Sequence, residues 1–204
     1  MPAAPAAGGW PRFAPSLAGM DLDAFDALVR QRRTNLLVDP QRDVPAELVE
    51  RLCALATWAP NHKRTWPWRF AALTGDARRR LGEAFADEMV VRAFGDEGKV
   101  AKTRSKYLRA PTVLVVGSAR HDKATLHVEN RDAVAAGIEN LLLGATAAGL
   151  ASFWSTAPLE DAPAVLALCA FEPDATVVGV IYLGWPTGTV ETPERPPVHV
   201  VRVS

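Results

Sequence analysis

Two arginines, a threonine and an asparagine stand together in the stretch "RRTNL", residues 32–36. Arginine forms paired hydrogen bonds to phosphate oxygens, and a hydroxyl group with backbone amides can complete an anion cradle. Basic residues at the C-terminal end of a helix also complement the helix dipole. On this segment alone, a phosphate-binding site and an ordinary helix end remain open as explanations.

A second stretch, "APNHKRTWPWRF" at residues 59–70, combines a histidine with basic residues and two of the six tryptophans of the chain. His62 could donate a hydrogen bond to a ligand or lie flat against a ligand ring. A purely structural loop histidine is the alternative. His121, His127 and His199 show no metal-ligand spacing with His62, so we do not expect a metal site.

A third stretch, "FWSTAP" at residues 153–158, places an indole and two hydroxyl groups where the backbone is expected to leave the core in a turn. Free backbone amides at such a turn can donate to a bound acceptor. Alternatively, Ser155 and Thr156 could cap a helix that begins near Asp161.

Several motifs of common enzyme classes are missing from the sequence. It has no G-x-G-x-x-G opening a helix after the first strand, no Walker loop, no G-x-S-x-G elbow and no H-E-x-x-H. Dinucleotide-fold dehydrogenases, NTPases, common hydrolases and zincins therefore lose support. Chemistry on this chain would then depend on a bound cofactor.

The hydrophobic pattern predicts the elements that hold these stretches. Helices are expected over residues 23–32 and over residues 76–93. Between them, a further helix is expected with Asp43 as its N-cap and Pro45 as its first helical residue, ending before Pro60. A strand is expected over residues 68–75, and a polar loop with a short solvated helix over residues 95–111.

Two compact apolar runs, "TVLVVGSA" and "TVVGVIYLG", are typical of strands buried on both faces and should form the centre of the sheet. The segment between them, "RDAVAAGIENLLLGATAAGL", predicts a helix buried on most sides. The proline-rich "TPERPP" and the alternating "VHVVRVS" at the end predict an extended arm and a strand. Such an arm suits contact with a second subunit.

Composition bounds the class of protein. The chain has 204 residues with 23 basic and 23 acidic side chains, so no overall field favours nucleic acid or an anionic membrane. Its two cysteines, Cys53 and Cys169, are expected to be buried free thiols, as in a reducing cytoplasm. We expect residues 1–17 to be a flexible tail and neither a signal peptide nor a membrane span. Residues 18–204 are expected to form one domain.

Taken in order, "RRTNL", "APNHKRTWPWRF", the small-residue helix running into "AAGLASFWST", and "VVGVIYLGWP" resemble the nitroreductase family of FMN flavoproteins. The resemblance covers about residues 22–186. It is greatest to the short bacterial NAD(P)H nitroreductases of the YdjA type, which share an A-P-x-H-K loop before Pro-Trp. It implies an α+β fold with a central mixed, largely antiparallel sheet flanked by helices, and a homodimer with an exchanged C-terminal arm and FMN at the subunit interface.

The resemblance also assigns residues to the cofactor. Arg32, Arg33 and Thr34 match the segment that holds the FMN phosphate and nearby ribityl groups, and His62 matches a loop histidine that contacts the flavin. The full set expected near FMN is Arg32, Arg33, Thr34, Trp58, His62, Trp66, Trp154, Ser155, Thr156 and Arg195. A weaker match links Gly144, Ala145, Thr146, Ala147, Ala148 and Gly149 to the nicotinamide or substrate.

This chain departs from the family pattern at several positions. Trp66 stands where the family often has Gln before Pro-Trp, so a polar contact is replaced by an apolar plane. Leu36 and Leu37 are not basic, and Trp58 stands where relatives of this type carry Arg. The residues that could supply the missing charge are Lys63, Arg64 and Arg195.

The implied function is transfer of hydride from NAD(P)H through FMN to an electron-poor acceptor such as a nitroaromatic compound or a quinone, in a ping-pong sequence. No protein side chain is expected to act as general acid or nucleophile. Two alternatives stay open: a flavin-binding or storage protein of the same fold without turnover, and a flavin-free interaction domain.

Overall fold

A four-stranded antiparallel sheet forms the centre of the chain in the computed structural model, which describes residues 21–203. Its strands are β1 (Trp68–Leu73), β2 (Thr112–Ser118), β3 (Ala151–Ser155) and β4 (Thr176–Gly184), in the order β1-β2-β4-β3. The inner strands β2 and β4 are almost wholly buried because both of their faces are apolar. The two apolar runs of the sequence are thus confirmed as the centre of the sheet.

Six α-helices accompany this sheet within residues 21–203. They are α1 (Leu22–Gln31), α2 (Ala46–Ala56), α3 (Ala77–Val91), α4 (Glu97–Ser105), α5 (Ala124–Ala147) and α6 (Pro163–Leu168), with 3-10 turns at His62–Arg64 and Lys106–Arg109. The helices expected from the sequence pattern are confirmed, but α2 begins later than predicted. Pro45 occupies the N-cap position, not the first helical position, because its ψ of 137° is extended. Asp43 is therefore not the cap.

Helices cover both faces of the sheet. On one face, α3, α6 and the Lys106–Arg109 turn pack over the aromatic rings of Phe85, Tyr107, Tyr182 and Phe153, which stack at centroid distances of 5.5 to 5.9 Å. On the other face, α2 and α5 bury Leu52 and Ile138 against Ile181. Burial of this kind contributes roughly 1.5–3 kcal/mol per large aliphatic side chain.

Gly137 brings α5 close to its neighbours. A Cβ atom at this position would lie 2.5 Å from the carbonyl oxygen of Ala56 at the end of α2 and 2.7 Å from Nε1 of Trp68 in β1. Only glycine leaves room for this approach. The small-residue helix predicted between the central strands is confirmed, and its glycine has a packing role.

The "FWSTAP" stretch differs from its prediction. Phe153, Trp154 and Ser155 belong to β3 and pair with β4, so they do not form a turn. The N-cap of α6 is Ala162, and no side chain caps that helix, so the alternative role for Ser155 and Thr156 as caps of that helix is also wrong. Apolar pairing with β4 prevails here over the local turn preference of the hydroxyl residues.

The end of the chain forms an extended arm. Residues 189–203 have no helix or strand, and residues 191–203 are all exposed. The strand predicted for residues 198–204 is therefore absent from residues 198–203, because they have no pairing partner among residues 21–203.

The remaining expectations concern thiols, metal and membrane. Cys169 is buried and Cys53 half-buried; both are free, and burial raises the pKa of each thiol to about 12. The described residues contain no group of three or more His, Cys, Asp or Glu side chains that could hold a metal ion. No helix within residues 21–203 is long and apolar enough to cross a membrane. The predicted tail, residues 1–17, lies outside the described residues.

Replacement of Ala170 by glycine should stabilise the protein. Ala170 ends α6 with a positive φ of 53°, a conformation that disfavours any side chain. We expect the free energy of unfolding to rise by about 0.5–1 kcal/mol, measured by urea denaturation. The matched control is Ala167→Gly inside α6, which should lower it by about 1 kcal/mol. A loss of stability in Ala170→Gly would contradict the left-handed helix end.

Candidate functional site

The segment that follows α1 is tied to β3 and to the start of the C-terminal arm. Thr34 forms a parallel bridge with Ser152, and the backbone amide of Asn35 donates to the Ser152 carbonyl at 2.9 Å. The side-chain amide of Asn35 donates to the carbonyl of Gly188 at 3.0 Å. These contacts determine where Arg32 and Arg33 leave the backbone.

Both arginines line a cavity of about 600 Å³ between α1, α5 and the arm, called here the arginine cavity. Its charged residues are Asp26, Arg30, Arg32, Arg33, Glu139 and Arg195, which give the lining a net charge of +2. Arg30 pairs with Asp26, and Nε of Arg32 lies 3.2 Å from Oε1 of Glu139. The uncompensated charge therefore belongs to Arg33 and Arg195.

Arg33, which lines this cavity, has a hydrogen-bond donor without a partner. One terminal nitrogen donates to the carbonyl of Arg32 at 2.6 Å, whereas Nε is buried and has no partner. A buried donor without an acceptor costs about 1–3 kcal/mol. An anionic oxygen would satisfy this donor and neutralise the cavity, so the residues present fit a phosphate group.

A smaller cavity of about 290 Å³ adjoins the first and shares Arg30, Arg33 and Thr192 with it. Only some residues of the segment linked to nicotinamide, residues 144–149, line this cavity. Thr146 and Gly149 line it together with Asn35. The other members face elsewhere: Gly144, Ala147 and Ala148 line a separate cavity against α2, and Ala145 is buried.

His62 lies at the other end of α5. Its Nδ1 is 2.7 Å from a carboxylate oxygen of Glu129, and both side chains are half-exposed. The contact leaves Nε2 as the ring nitrogen that can face a ligand. His62 is thus held by α5, the helix that also carries Glu139.

The loop that follows His62 has an unusual backbone. Lys63, Arg64 and Trp66 have positive φ angles of 59°, 52° and 52°, a region in which non-glycine residues store roughly 1–3 kcal/mol of strain each. Trp66 is 61% exposed. Lys63, Arg64 and Arg195 were the three residues that could supply the missing positive charge. Lys63 and Arg64 line neither of the two cavities beside α1, whereas Arg195 lines the arginine cavity together with Arg32 and Arg33.

The other predicted ring contacts lie on or just after β3 and just after α2. The Trp154 indole covers Gly179 in β4, where a Cβ would come within 2.3 Å of its Nε1. Ser155 is half-buried, and its hydroxyl donates to the carbonyl of Thr156 at 3.3 Å. Trp58 is 84% exposed just beyond α2.

The predicted site residues therefore form two groups within one chain. Arg32, Arg33 and Arg195 meet at the arginine cavity. His62 and Trp66 belong to the loop that contacts the N-terminal part of α5, where Glu129 lies. Glu129 and Glu139 are ten residues apart in the sequence, or about 15 Å along a helix.

Sequence reasoning did not assign the acidic and amide partners of these groups. Glu139 pairs with Arg32, Glu129 pairs with His62, and the side-chain amide of Asn35 secures the arm. Asn35 had a local signal, since it lies inside "RRTNL". The two glutamates had none, because their partners are distant in the sequence.

Comparison of the sequence with known proteins identifies a family and a related protein. The sequence model of the nitroreductase family matches residues 29–185. YdjA of Escherichia coli (strain K12), a protein named as an NAD(P)H nitroreductase, is 25% identical over 166 residues, which cover 81% of this chain and 89% of YdjA.

Solved structures share the fold. A nitroreductase with bound FMN from Bacteroides fragilis NCTC 9343 superposes with a TM-score of 0.68 at 21% identity, covering 87% of this chain and 97% of that chain. The FMN-dependent nitroreductase NfnB from Mycobacterium smegmatis in complex with NADPH gives 0.68 at 19% identity, covering 88% and 99%. The fold expected from the resemblance is confirmed, and the chain belongs to the nitroreductase family.

Proposed function

We propose that this chain is an oxidoreductase that holds FMN and uses NAD(P)H to reduce an electron-poor acceptor such as a nitroaromatic compound or a quinone. The observation that carries the proposal is a cavity of net charge +2 lined by Arg33, whose buried Nε has no partner, and by Arg195. A phosphate monoester carries about −1.5 to −2 charges at neutral pH and matches that lining. The FMN and NADPH complexes of related structures support the same conclusion.

FMN, when bound, supplies two-electron transfer between a nicotinamide and an acceptor. The residues of this chain bind and orient the ligands. Arg33 and Arg195 would hold the phosphate, with Arg32 and Thr34 beside it. The ring-end residues would be Trp58, His62, Trp66, Trp154, Ser155 and Thr156.

Donor and acceptor are proposed to occupy the same site in turn, with the donor leaving first. Thr146 and Gly149 would lie on the nicotinamide side, since they share the adjoining cavity with Arg33. Gly144, Ala145, Ala147 and Ala148 would support that side through packing. Parallel lines in double-reciprocal plots at several acceptor concentrations would be expected from such a sequence.

We also propose a homodimer in which the C-terminal arm crosses to the partner. Exposed apolar residues support it: Leu22 of α1 is 79% exposed, and Val198, Val200, Val201 and Val203 of the arm are 71 to 93% exposed. Burial of such side chains is the main driving force for association. Light scattering should give twice the chain mass, and deletion of residues 191–204 should shift it toward one chain mass.

Anaerobic reduction tests the proposed activity. FMN-loaded protein mixed with excess NADH or NADPH should lose its visible flavin absorption, and an electron-poor acceptor should restore it. Absorption that never falls with either nucleotide would reject reductase activity and favour the flavin-binding alternative. A colourless protein whose thermal melt is unchanged by added FMN would reject both.

A further inference from the structure

The loop of residues 61–66 has a backbone that its sequence alone does not favour. Lys63, Arg64 and Trp66 all have φ between 52° and 59°, although none of them is glycine. Non-glycine residues keep such angles only where surrounding contacts determine the conformation. The contacts that hold this loop therefore need to be identified.

A connected set of side chains provides them. Nδ2 of Asn61 donates to Oγ1 of Thr65 at 2.9 Å, and the backbone amide of Trp66 donates to Oδ1 of Asn61 at 2.9 Å. The Thr65 hydroxyl in turn donates to Oδ1 of Asn130 at 2.5 Å. Asn130 lies on α5, so the loop is fastened to the central helix.

Asn130 anchors this set in the core. Its side chain is 2% exposed, and its Nδ2 donates to the carbonyl of Ala119 just after β2, at 3.3 Å. A buried amide whose partner is removed retains its desolvation penalty, so the anchor and the loop support each other. Asn130 on α5 and Ala119 after β2 are held by the core, so contacts to the core determine the conformation of this surface loop.

The loop presents one large flat group. Trp66 is 61% exposed, and its indole lies beside that of Trp68, with centroids 6.3 Å apart and planes tilted by 51°. Trp68 itself is only 7% exposed. An exposed indole on a loop whose hydrogen bonds reach the buried Asn130 is a ready contact for a second aromatic ring.

We propose that Thr65 and Asn130 are positioning residues that hold the Trp66 indole as a contact surface for aromatic electron acceptors. This inference rests on the proposed function, because it assigns Trp66 to the acceptor of that same site. It adds a role for two residues that touch neither acceptor nor cofactor. Loss of the Thr65 hydroxyl should release the indole and weaken aromatic acceptors selectively.

The test compares Thr65→Val, which removes the hydroxyl at nearly constant shape, with Thr65→Ser, which retains it. The first readout is the indole N–H signal of Trp66 in proton–nitrogen NMR spectra, assigned by its loss in Trp66→Phe. Thr65→Val should shift or broaden this signal, whereas Thr65→Ser should resemble the parent. Thermal melts of each variant establish that it is folded.

The second readout is nitrobenzene binding to oxidised, FMN-loaded protein without nicotinamide, followed through the backbone amide signals of the same spectra, because Trp66→Leu lacks the Trp66 indole signal. Thr65→Val and Trp66→Leu should each raise the dissociation constant roughly threefold to tenfold, the range for loss of one aromatic contact. In turnover, the KM for nitrobenzene should rise in these variants. In Thr65→Val, the KM for ferricyanide, which has no ring, and the kcat should stay close to those of the parent.

Some outcomes would overturn the inference. An unchanged Trp66 signal in a folded Thr65→Val protein would show that the hydrogen bonds do not position the indole. Unchanged nitrobenzene binding in Trp66→Leu would remove Trp66 from the acceptor site. This variant alters an exposed side chain, so its result does not depend on the Thr65 variants. Neither binding measurement needs reduction of the flavin, so a failure of reductase activity remains distinguishable from a failure of this inference.

Discussion

Replacement of Arg33 by alanine should weaken FMN binding by roughly 10- to 100-fold, because it removes a charge-assisted hydrogen bond of about 1.5–3 kcal/mol. Arg33 has the buried, unpartnered Nε of the arginine cavity, and no acidic side chain pairs with it among residues 21–203. Arg32→Ala should have a smaller effect, since Arg32 is already engaged by Glu139 at 3.2 Å. Fluorescence titration of the apoprotein with FMN gives both values.

Riboflavin provides the control for this prediction. It lacks the phosphate, so its affinity should be nearly equal in the parent and in Arg33→Ala. Arg80→Ala, which alters an exposed arginine of α3, should leave both affinities unchanged. Equal weakening of riboflavin and FMN in Arg33→Ala would mean that Arg33 supports the fold or the ring and does not contact the phosphate.

Gly137→Ala should be the most destabilising of the single substitutions considered, lowering the free energy of unfolding by about 2–4 kcal/mol. The added methyl group would lie 2.5 Å from the Ala56 carbonyl oxygen and 2.7 Å from Nε1 of Trp68. The first contact is backbone and the second belongs to a buried ring, so α5 itself has to move. Urea denaturation measures the loss, and the thermal melt should fall with it.

Gly98→Ala is the matched control, because it adds the same methyl group to a helix where the nearest atom is a side-chain oxygen of Asp96 at 3.3 Å. Alanine is favoured over glycine inside helices by about 1 kcal/mol, so this variant should be neutral or more stable. A Gly137→Ala protein within 1 kcal/mol of the parent would show that the contact between α2 and α5 yields easily.

Much of this fold could be predicted from local sequence signals. The runs around Val115 and Val180 are apolar at consecutive positions, a pattern that requires burial on both faces and so places β2 and β4 at the centre. The helices followed from periodicity and from breakers such as Pro60. The ends were less certain: the angles of Pro45 place α2 one residue later than the helix preference of proline suggests.

The misassigned elements depend on partners distant in the sequence. Trp154 belongs to a strand because β4 lies alongside it, and its ring fits only because position 179 has no side chain. The valines of the arm alternate as a strand would, yet strand pairing requires a second edge, and no described strand pairs with them.

The candidate site shows the same division. Arg32 and Arg33 were identified from the family pattern, and Arg195 as one of three residues that could replace a charge missing from that pattern. The structure gathers all three arginines around one cavity. Three other features depend on tertiary contacts. They are the ion pair of Arg32 with Glu139, the unpartnered buried Nε of Arg33, and the hydrogen bond between Thr65 and Asn130. No spacing rule connects positions 65 and 130, so a single sequence could not reveal that contact.

Helix α5 also limits how this chain can vary in length. It contacts the histidine loop through Glu129 and the arginine segment through Glu139. One inserted residue between them would rotate one contact by about 100° relative to the other and displace it by about 1.5 Å. Insertions and deletions should therefore be tolerated in the exposed connection between α3 and α4, but not within this ten-residue interval.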